Sequence, residues 1–375
     1  MGRMLAGSPL AKPAPRPGQT RCCGPGLGQN RPMPTFDSRR RHALVTSLLL
    51  PLAARPAWAA AHRPALRVGP GEAFSRMADA LRAATDGDTI EVQPGNYRGD
   101  VAVITQRQLT IIGLGAGAAG SPAERPVFEA AGRHAEGKAI WVVRDGHVQI
   151  DNIVFRGARV PDGNGAGIRF ERGRLRLRRC SFIDNQMGLL TGNDEGSELD
   201  ILACEFADAP DNPGSLPHLL YVGRIGRLSI TGSVLRNGRV GHLLKSRARE
   251  STVVGNRLDD GRHGEASYEI DLPNGGIARV EGNTLVQSPL TQNPVMLSFG
   301  AEGKPWPDSR LTVAGNTFIN HRAAGGVFVR AWADRLPPGA LVQLSHNRLL
   351  GPGTLELGPN GSSEQDSQGP VPATD

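Results

Sequence analysis

Three short stretches, His218-Leu-Leu-Tyr221, His242-Leu-Leu-Lys245-Ser-Arg247 and Tyr268-Glu-Ile-Asp271-Leu-Pro-Asn-Gly-Gly276, read as successive copies of one unit. Strand side chains alternate between faces, so if Leu220, Leu244 and Ile270 enter a core, Tyr221, Lys245 and Asp271 leave on the opposite face, one above the other. Neighbouring strands lie roughly 4.8 Å apart. At that spacing a phenol, an amine and a carboxylate share one wall and couple electrostatically.

The same unit recurs outward from these copies. Short apolar strands at Val148-Gln-Ile150, Leu175-Arg-Leu177, Leu199-Asp-Ile201, Leu228-Ser-Ile230, Thr252-Val-Val254, Ala278-Arg-Val280, Leu311-Thr-Val313 and Val342-Gln-Leu344 are each followed by a polar corner. The corner residues are Cys180, Cys204, Ser233, Asn256, Asn283, Asn316 and Asn347, spaced by 24, 29, 23, 27, 33 and 31 residues. A near-constant period of this kind is the mark of a solenoid, in which no repeat buries its apolar face alone. The consecutive asparagines predict an internal amide ladder, and Asn tolerates the left-handed backbone of a tight bend. Segments that lengthen the repeat, 208–217, 301–309 and 331–339, predict loops walling a groove.

Before the repeats, Phe74, Met77, Leu81 and Ala84 fall on one helical face. Then come Gly87-Asp-Thr-Ile-Glu-Val-Gln-Pro-Gly-Asn-Tyr97 and Leu109-Thr-Ile-Ile112-Gly113. On these residues the chain resembles the right-handed parallel β-helix proteins of the pectate-lyase-like superfamily, many of which open with a capping helix and similar segments. The resemblance implies an all-β parallel solenoid with an N-terminal helix cap, and it specifies a fold rather than an activity.

The first residues read differently. Segment 1–32 has no apolar periodicity and fits a disordered extension or an upstream start, with Met33 the more natural beginning. From there Ser38-Arg39-Arg40-Arg41-His42, the apolar run 43–54 and Ala57-Trp58-Ala59 read as a signal peptide over 33–59, through either the twin-arginine or the general route, and so a periplasmic or secreted protein. The apolar run is too short for a membrane span. Residues 1–59 hold 9 of the 43 Lys and Arg and 1 of the 36 acidic residues, leaving 34 basic against 35 acidic groups. A near-neutral remainder argues against nucleic acid as the partner. The solenoid is expected over 60–358 as a monomer, and the Ser-, Gly- and Pro-rich tail 359–375 as disordered.

Past the leader two cysteines remain, Cys180 and Cys204, at matching corners, where either a disulfide or two stacked thiols is compatible with the spacing. Only three lysines follow residue 60, against 31 arginines. Lys245 therefore draws notice, since an amine can lose its proton where a guanidinium cannot. Taken together, Lys245, Arg247, His242 and Tyr221 form the candidate catalytic set, and His218, Tyr268, Glu269, Asp271 and Arg262 the candidate substrate-binding set. The resemblance implies an extended sugar chain as ligand, since proteins of that fold commonly bind one along the solenoid, and with these residues the expected chemistry is elimination or epimerisation on an anionic, uronate-containing polysaccharide. Lys245 or Tyr221 would take the proton next to the carboxylate, Arg247 would neutralise that carboxylate, and His242 would orient or shuttle a proton.

Lys245-Ser246 with Arg262-His263-Gly264 is similar to a paired motif of the chondroitinase B and alginate lyase type. That resemblance implies Lys245 as base and Arg262 as acid, although the apolar residues that precede the second half of the motif are missing. Asp259-Asp260 and His263-Gly264 echo polygalacturonase-type hydrolases, but there the two pairs sit on separate repeats. Asn193-Asp194-Glu195 is a weak candidate for calcium, and no cofactor or other metal site is expected. The competing reading is a non-catalytic carbohydrate-binding or envelope structural protein. Convergence of Lys245, Arg247 and His242 in a groove favours the enzyme, and burial of Lys245 against Asp271 favours the alternative.

Overall fold

A computed structural model describes residues 63–115, 124–211 and 216–371. The leader segments 1–32 and 33–59, with Cys22, Cys23 and Met33, lie outside the described residues.

The chain coils through three parallel sheets, visiting each in turn. Sheet A has 12 strands, from Leu66–Val68 to Gly361–Glu364; sheet B has 11, from Gly95–Arg98 to Ser367–Gly369; sheet C has 10, from Ala102–Ile104 to Thr354–Glu356. Sheet A strands alternate strictly: in Arg174–Arg178 the two leucines are buried and the three arginines exposed. Leu175 pairs with Val148 on one side and Leu199 on the other, so like residues stack into columns. Phe128, Phe155, Phe182 and Phe206 form one such column in sheet B, with successive ring centroids 6.3, 5.2 and 4.7 Å apart. The helix Met77–Ala83 lies at the N-terminal end, Met77, Ala80 and Leu81 buried, and Met77 N–H donates to the Asp100 carboxylate at 2.6 Å.

The amide ladder is present and longer than expected. Asn256 Nδ2 donates to Asn283 Oδ1 (3.0 Å), Asn283 to Asn316 (2.9 Å), Asn316 to Asn347 (2.9 Å) and Asn347 to Asp366 (2.9 Å). Each backbone N–H donates to the same acceptor, so every rung is tied twice. The ladder asparagines themselves do not carry the left-handed bend. It falls one residue earlier, at Gly255, Gly282 and Gly315, and at His346 and Gln365 where no glycine stands. Each such residue turns the chain out of sheet A, and the side chain after it points inward.

Two further readings are corrected and one open choice is resolved. Gly361–Glu364 and Ser367–Gly369 add a rung, and Asp366 ends the ladder, so the solenoid runs past Gly358 into the tail expected to be disordered. In Glu250–Val254 the inward residues are Ser251 and Val253, not Thr252 and Val254: Leu228 pairs with Ser251. Buried Ser251 is tolerated because its hydroxyl meets that of Ser246 at 2.9 Å. Cys180 and Cys204 are free and buried, with Cys180 N–H donating to Cys204 Sγ at 3.4 Å, which resolves the open choice toward two stacked thiols.

Because each stranded buried donor costs about 1–3 kcal/mol, Asn283→Ala, mid-ladder, is expected to lower stability by roughly 2–4 kcal/mol. Asp366→Ala, at the half-exposed end, is expected to cost about 1 kcal/mol. Urea unfolding of the two variants measures the contrast.

Candidate functional site on the outer face of sheet C

Leu220, Leu244 and Ile270 are fully buried in the core, and Tyr221, Lys245 and Asp271 pair in register on the outer face, as the alternation requires. The column continues through Ser298, Arg330 and Glu356. A second stack precedes it at the strand starts: the rings of His218 and His242 are 4.7 Å apart, and those of His242 and Tyr268 4.8 Å. His218 also meets Tyr221 edge-on at 5.2 Å. Thus His218, Tyr221, His242, Lys245, Arg247, Tyr268 and Asp271 come together on one wall.

The wall is closed rather than open to solvent. Lys245 has a 9% exposed side chain, with Nζ 3.3 Å from Asp271 Oδ2 and 2.5 Å from Glu302 Oε1. Arg247 donates from Nε to the Tyr221 hydroxyl (3.1 Å), from one terminal nitrogen to Asn274 Oδ1 (2.9 Å), and from the other to Glu302 Oε2. Glu302 belongs to the 301–309 insertion, which is anchored on Arg247: Trp306 Nε1 donates to the Arg247 carbonyl at 3.1 Å, and Arg224 stacks on the indole at 3.6 Å. In the next column position Trp332, from the following insertion, donates to Ser298 Oγ at 3.2 Å and lies under Arg330 and Arg335.

These contacts set the charge states. Burial opposes ionisation of Asp271, but His242 and Lys245 outweigh it and hold the carboxyl below its ordinary value. His242 Nδ1 is 3.3 Å from Asp271 Oδ2, a close approach without hydrogen-bond alignment. Burial likewise works against Glu302, and the hydrogen bonds from Lys245 and Arg247 overcome it. His218 is driven well below the usual imidazole range by burial and by the charges of His242, Lys245 and Arg247. Consistent with a neutral ring, its Nδ1 accepts the His242 N–H at 2.9 Å.

Two expected site residues are elsewhere. Glu269 is fully buried, at the corner position that Leu219 and Leu243 hold on earlier rungs and Met296 on the next. Neither of its carboxyl oxygens has a hydrogen-bond partner, and burial, with the charges of Asp260 and Asp259, pushes it well above the carboxylate range. Neighbouring Asp260 is pushed up to about 6 by burial. Glu269 therefore binds no substrate on the outer wall. Arg262 is exposed and lines a separate hollow of about 660 Å³ with Arg257, Asp259 and His321, so the Lys245–Arg262 pair suggested by motif is not formed. The Asp259-Asp260 and His263-Gly264 echo has no counterpart on the wall either. In 193–195, Asn193 accepts from Arg224 N–H, Asp194 from Ser197 and Glu195 from Arg224, so the oxygens offered for calcium hold the loop together. Among the described residues no group of three or more His, Cys, Asp or Glu is arranged to hold a metal. The sequence reading missed Glu302, Asn274 and Trp306. Its one pointer to them was the length of the 301–309 insertion.

No protein-family model matches the chain, and no curated protein matches its sequence. Among solved structures, pectate lyase Pel9A superposes over 81% of this chain and 80% of its own, with a TM-score of 0.57 and 13% identity. The fold is that of the pectate-lyase-like right-handed parallel β-helix. Two other matches to this β-helix are the ORF18 protein of Geobacillus virus E2 (TM-score 0.48, 13% identity, 78% of this chain, 56% of that one) and the deglycosylated pectin methylesterase from Aspergillus niger (0.33, 12%, 83% and 91%). No helix among the described residues of the β-helix is long and apolar enough to cross a membrane.

A carboxyl held protonated in the fold contributes fully below its unfolded value, 4.5 for Glu269, and loses that contribution as pH rises. Glu269→Leu, which restores the apolar column, is expected to stabilise the β-helix by about 1–3 kcal/mol at pH 8 and by less at pH 4. Urea unfolding at the two pH values tests the sign.

Proposed function

We propose that the protein is a carbohydrate-active β-helix that binds an anionic, uronate-containing polysaccharide along the outer face of sheet C and acts on it as a lyase or epimerase. The observation that carries this reading is the meeting of Tyr221, Lys245 and Arg247 on adjacent strands, a proton-transfer group beside two cations. Both reactions begin with loss of the proton on the carbon next to the uronate carboxylate. That proton becomes more acidic when a cation neutralises the carboxylate.

Arg247 is the neutralising group. The scheme takes the Tyr221 phenolate as its base, and the Arg247 guanidinium that donates to the Tyr221 oxygen would balance that charge. In elimination the C5–H pair becomes the C4=C5 double bond, the C4–O bond breaks, and the proton taken by Tyr221 passes to the departing oxygen. In epimerisation a proton from water is delivered to the opposite face of C5 and Tyr221 returns the abstracted proton to solvent, so no net proton is consumed. Lys245 serves as a cation in this scheme, donating to Glu302 and ion-paired with Asp271. His242, beside Asp271, orients the pair. One chain carries the whole wall, so no second copy is required. Export through the leader belongs to the same proposal. A pectate lyase on the same fold is an architectural analogy and adds support of that kind only.

The burial of Lys245 between Asp271 and Glu302 favours a second reading, a non-catalytic protein that holds the polysaccharide on this wall. Incubating the purified protein with polyuronates and glycosaminoglycans, and following the ultraviolet absorbance of unsaturated uronate, separates the two. A lyase gives absorbance that falls about 10²–10⁴-fold in Tyr221→Phe, with binding retained. Binding without absorbance or C5 proton exchange, lost in Arg247→Ala, identifies the binding protein. No binding to any member of the panel contradicts both readings.

A further inference from the structure

We infer that Lys245 and Arg247 form a carboxylate-binding subsite filled in the resting protein by Glu302, so that the 301–309 insertion carries a tethered substitute for the ligand's own carboxylate. The inference rests on the reading of an anionic sugar ligand and adds to it how that ligand gains its place.

Four observations support it. First, Glu302 divides its two oxygens between the two cations, Oε1 to Lys245 Nζ at 2.5 Å and Oε2 to the Arg247 guanidinium, which is how a uronate carboxylate would be held. Second, both cations are positioned without Glu302. Lys245 is fixed by its register between Tyr221 and Asp271, and Arg247 by Tyr221 and Asn274. The subsite therefore persists when Glu302 leaves. Third, the two carboxylates on Lys245 differ in access. Asp271 is buried within a strand, whereas the Glu302 side chain is 41% exposed on an insertion. Fourth, Lys245, Arg247, Asp271 and Glu302 sum to zero charge, and withdrawal of Glu302 leaves one net positive charge, the complement of one uronate.

Displacement does not require the loop to open. Asn274 Nδ2 holds the Gly303 carbonyl at 2.6 Å and Trp306 holds the Arg247 carbonyl, so the insertion's backbone stays anchored while the exposed Glu302 side chain swings out. Exchange of one carboxylate for another leaves the number of charge-assisted hydrogen bonds unchanged. The ligand's new contacts are offset by those that Glu302 gives up, and uncharged sugars gain nothing. Glu302 thus competes with a ligand's carboxylate and keeps the buried cations paired when no ligand is present.

The test is isothermal titration of the full chain and its variants with sodium galacturonate, with galactose as the uncharged control. Glu302→Ala is expected to bind galacturonate at least about 10-fold more tightly than the unaltered protein, since the competing carboxylate is gone. Galactose binding should not change, and the gain should vanish in the double variant Glu302→Ala/Arg247→Met. Glu302→Gln, which keeps the side chain's shape, should show the same direction, and thermal unfolding of each variant verifies that it is folded. Equal galacturonate affinity with and without Glu302, or a gain that survives loss of Arg247, overturns the inference. Because the probe is a single sugar, the result is independent of whether any polymer is cleaved. Polymer elimination with no gain in Glu302→Ala refutes the plug and leaves the proposed function standing, and the reverse outcome does the opposite.

Discussion

Parallel register between rungs, kept without a shift from Tyr221 to Asp271, is the constraint on which the rest of the molecule depends. On these rungs each strand of sheet C pairs residue for residue with the next, so Tyr221, Lys245 and Asp271 have no choice but to stand in one column. A slip of one residue would send that column into the core and Leu220, Leu244 and Ile270 into solvent. The amide ladder at the A–B corner fixes the register from inside, because Asn256, Asn283, Asn316, Asn347 and Asp366 satisfy one another only when every rung is in phase. The pair of hydroxyls at Ser246 and Ser251 shows how strictly it is kept: a polar contact is accepted in the core rather than a shift in phase.

On that frame the charges are arranged as a closed circuit. Two cations and two carboxylates meet in little more than one side-chain layer, and removing any one strands another in a water-poor setting, where an unpaired charge is costly. Such a group contributes little to stability compared with an apolar wall of the same volume. Earlier in the same column Val142 and Leu190 are buried apolar residues, with Arg169, paired to Glu171, between them. Burial of such a charged group on the rungs from Tyr221 to Asp271 therefore marks them as shaped by something other than folding. Glu302 reaches them from 57 residues away in sequence to Lys245, and it is the only member of the circuit with substantial exposure among those described.

What the sequence made legible was whatever repeats. Strand columns, the stacked wall and the asparagine ladder all follow from period and alternation, and all are found. What escaped was set by single residues against the period. Glu269 was assigned to the outer wall by alternation alone, although Leu219-Leu220 and Leu243-Leu244 are pairs of adjacent apolar residues and mark that corner as buried on both sides. The bend was attributed to the asparagines because they are conspicuous, while the glycines before them take the left-handed backbone. Residues 361–369 carry no apolar side chain, so nothing in their composition announces a rung; backbone pairing and Asp366 hold it. Lys245 and Arg247 were found by register, but their partner lies in an insertion, where the repeat gives no phase and only a folded chain reveals the contact.

Hydrogen exchange with and without ligand is the most direct test that this wall is the binding surface. The full chain would be incubated with six-sugar fragments of polygalacturonate, alginate and chondroitin, and exchange followed along the backbone. The account predicts that a bound fragment slows exchange in 219–224, 243–249 and 268–276 and in the 301–309 insertion, with sheet A unchanged. Protection confined to sheet A, or to the hollow around Arg262, would contradict it.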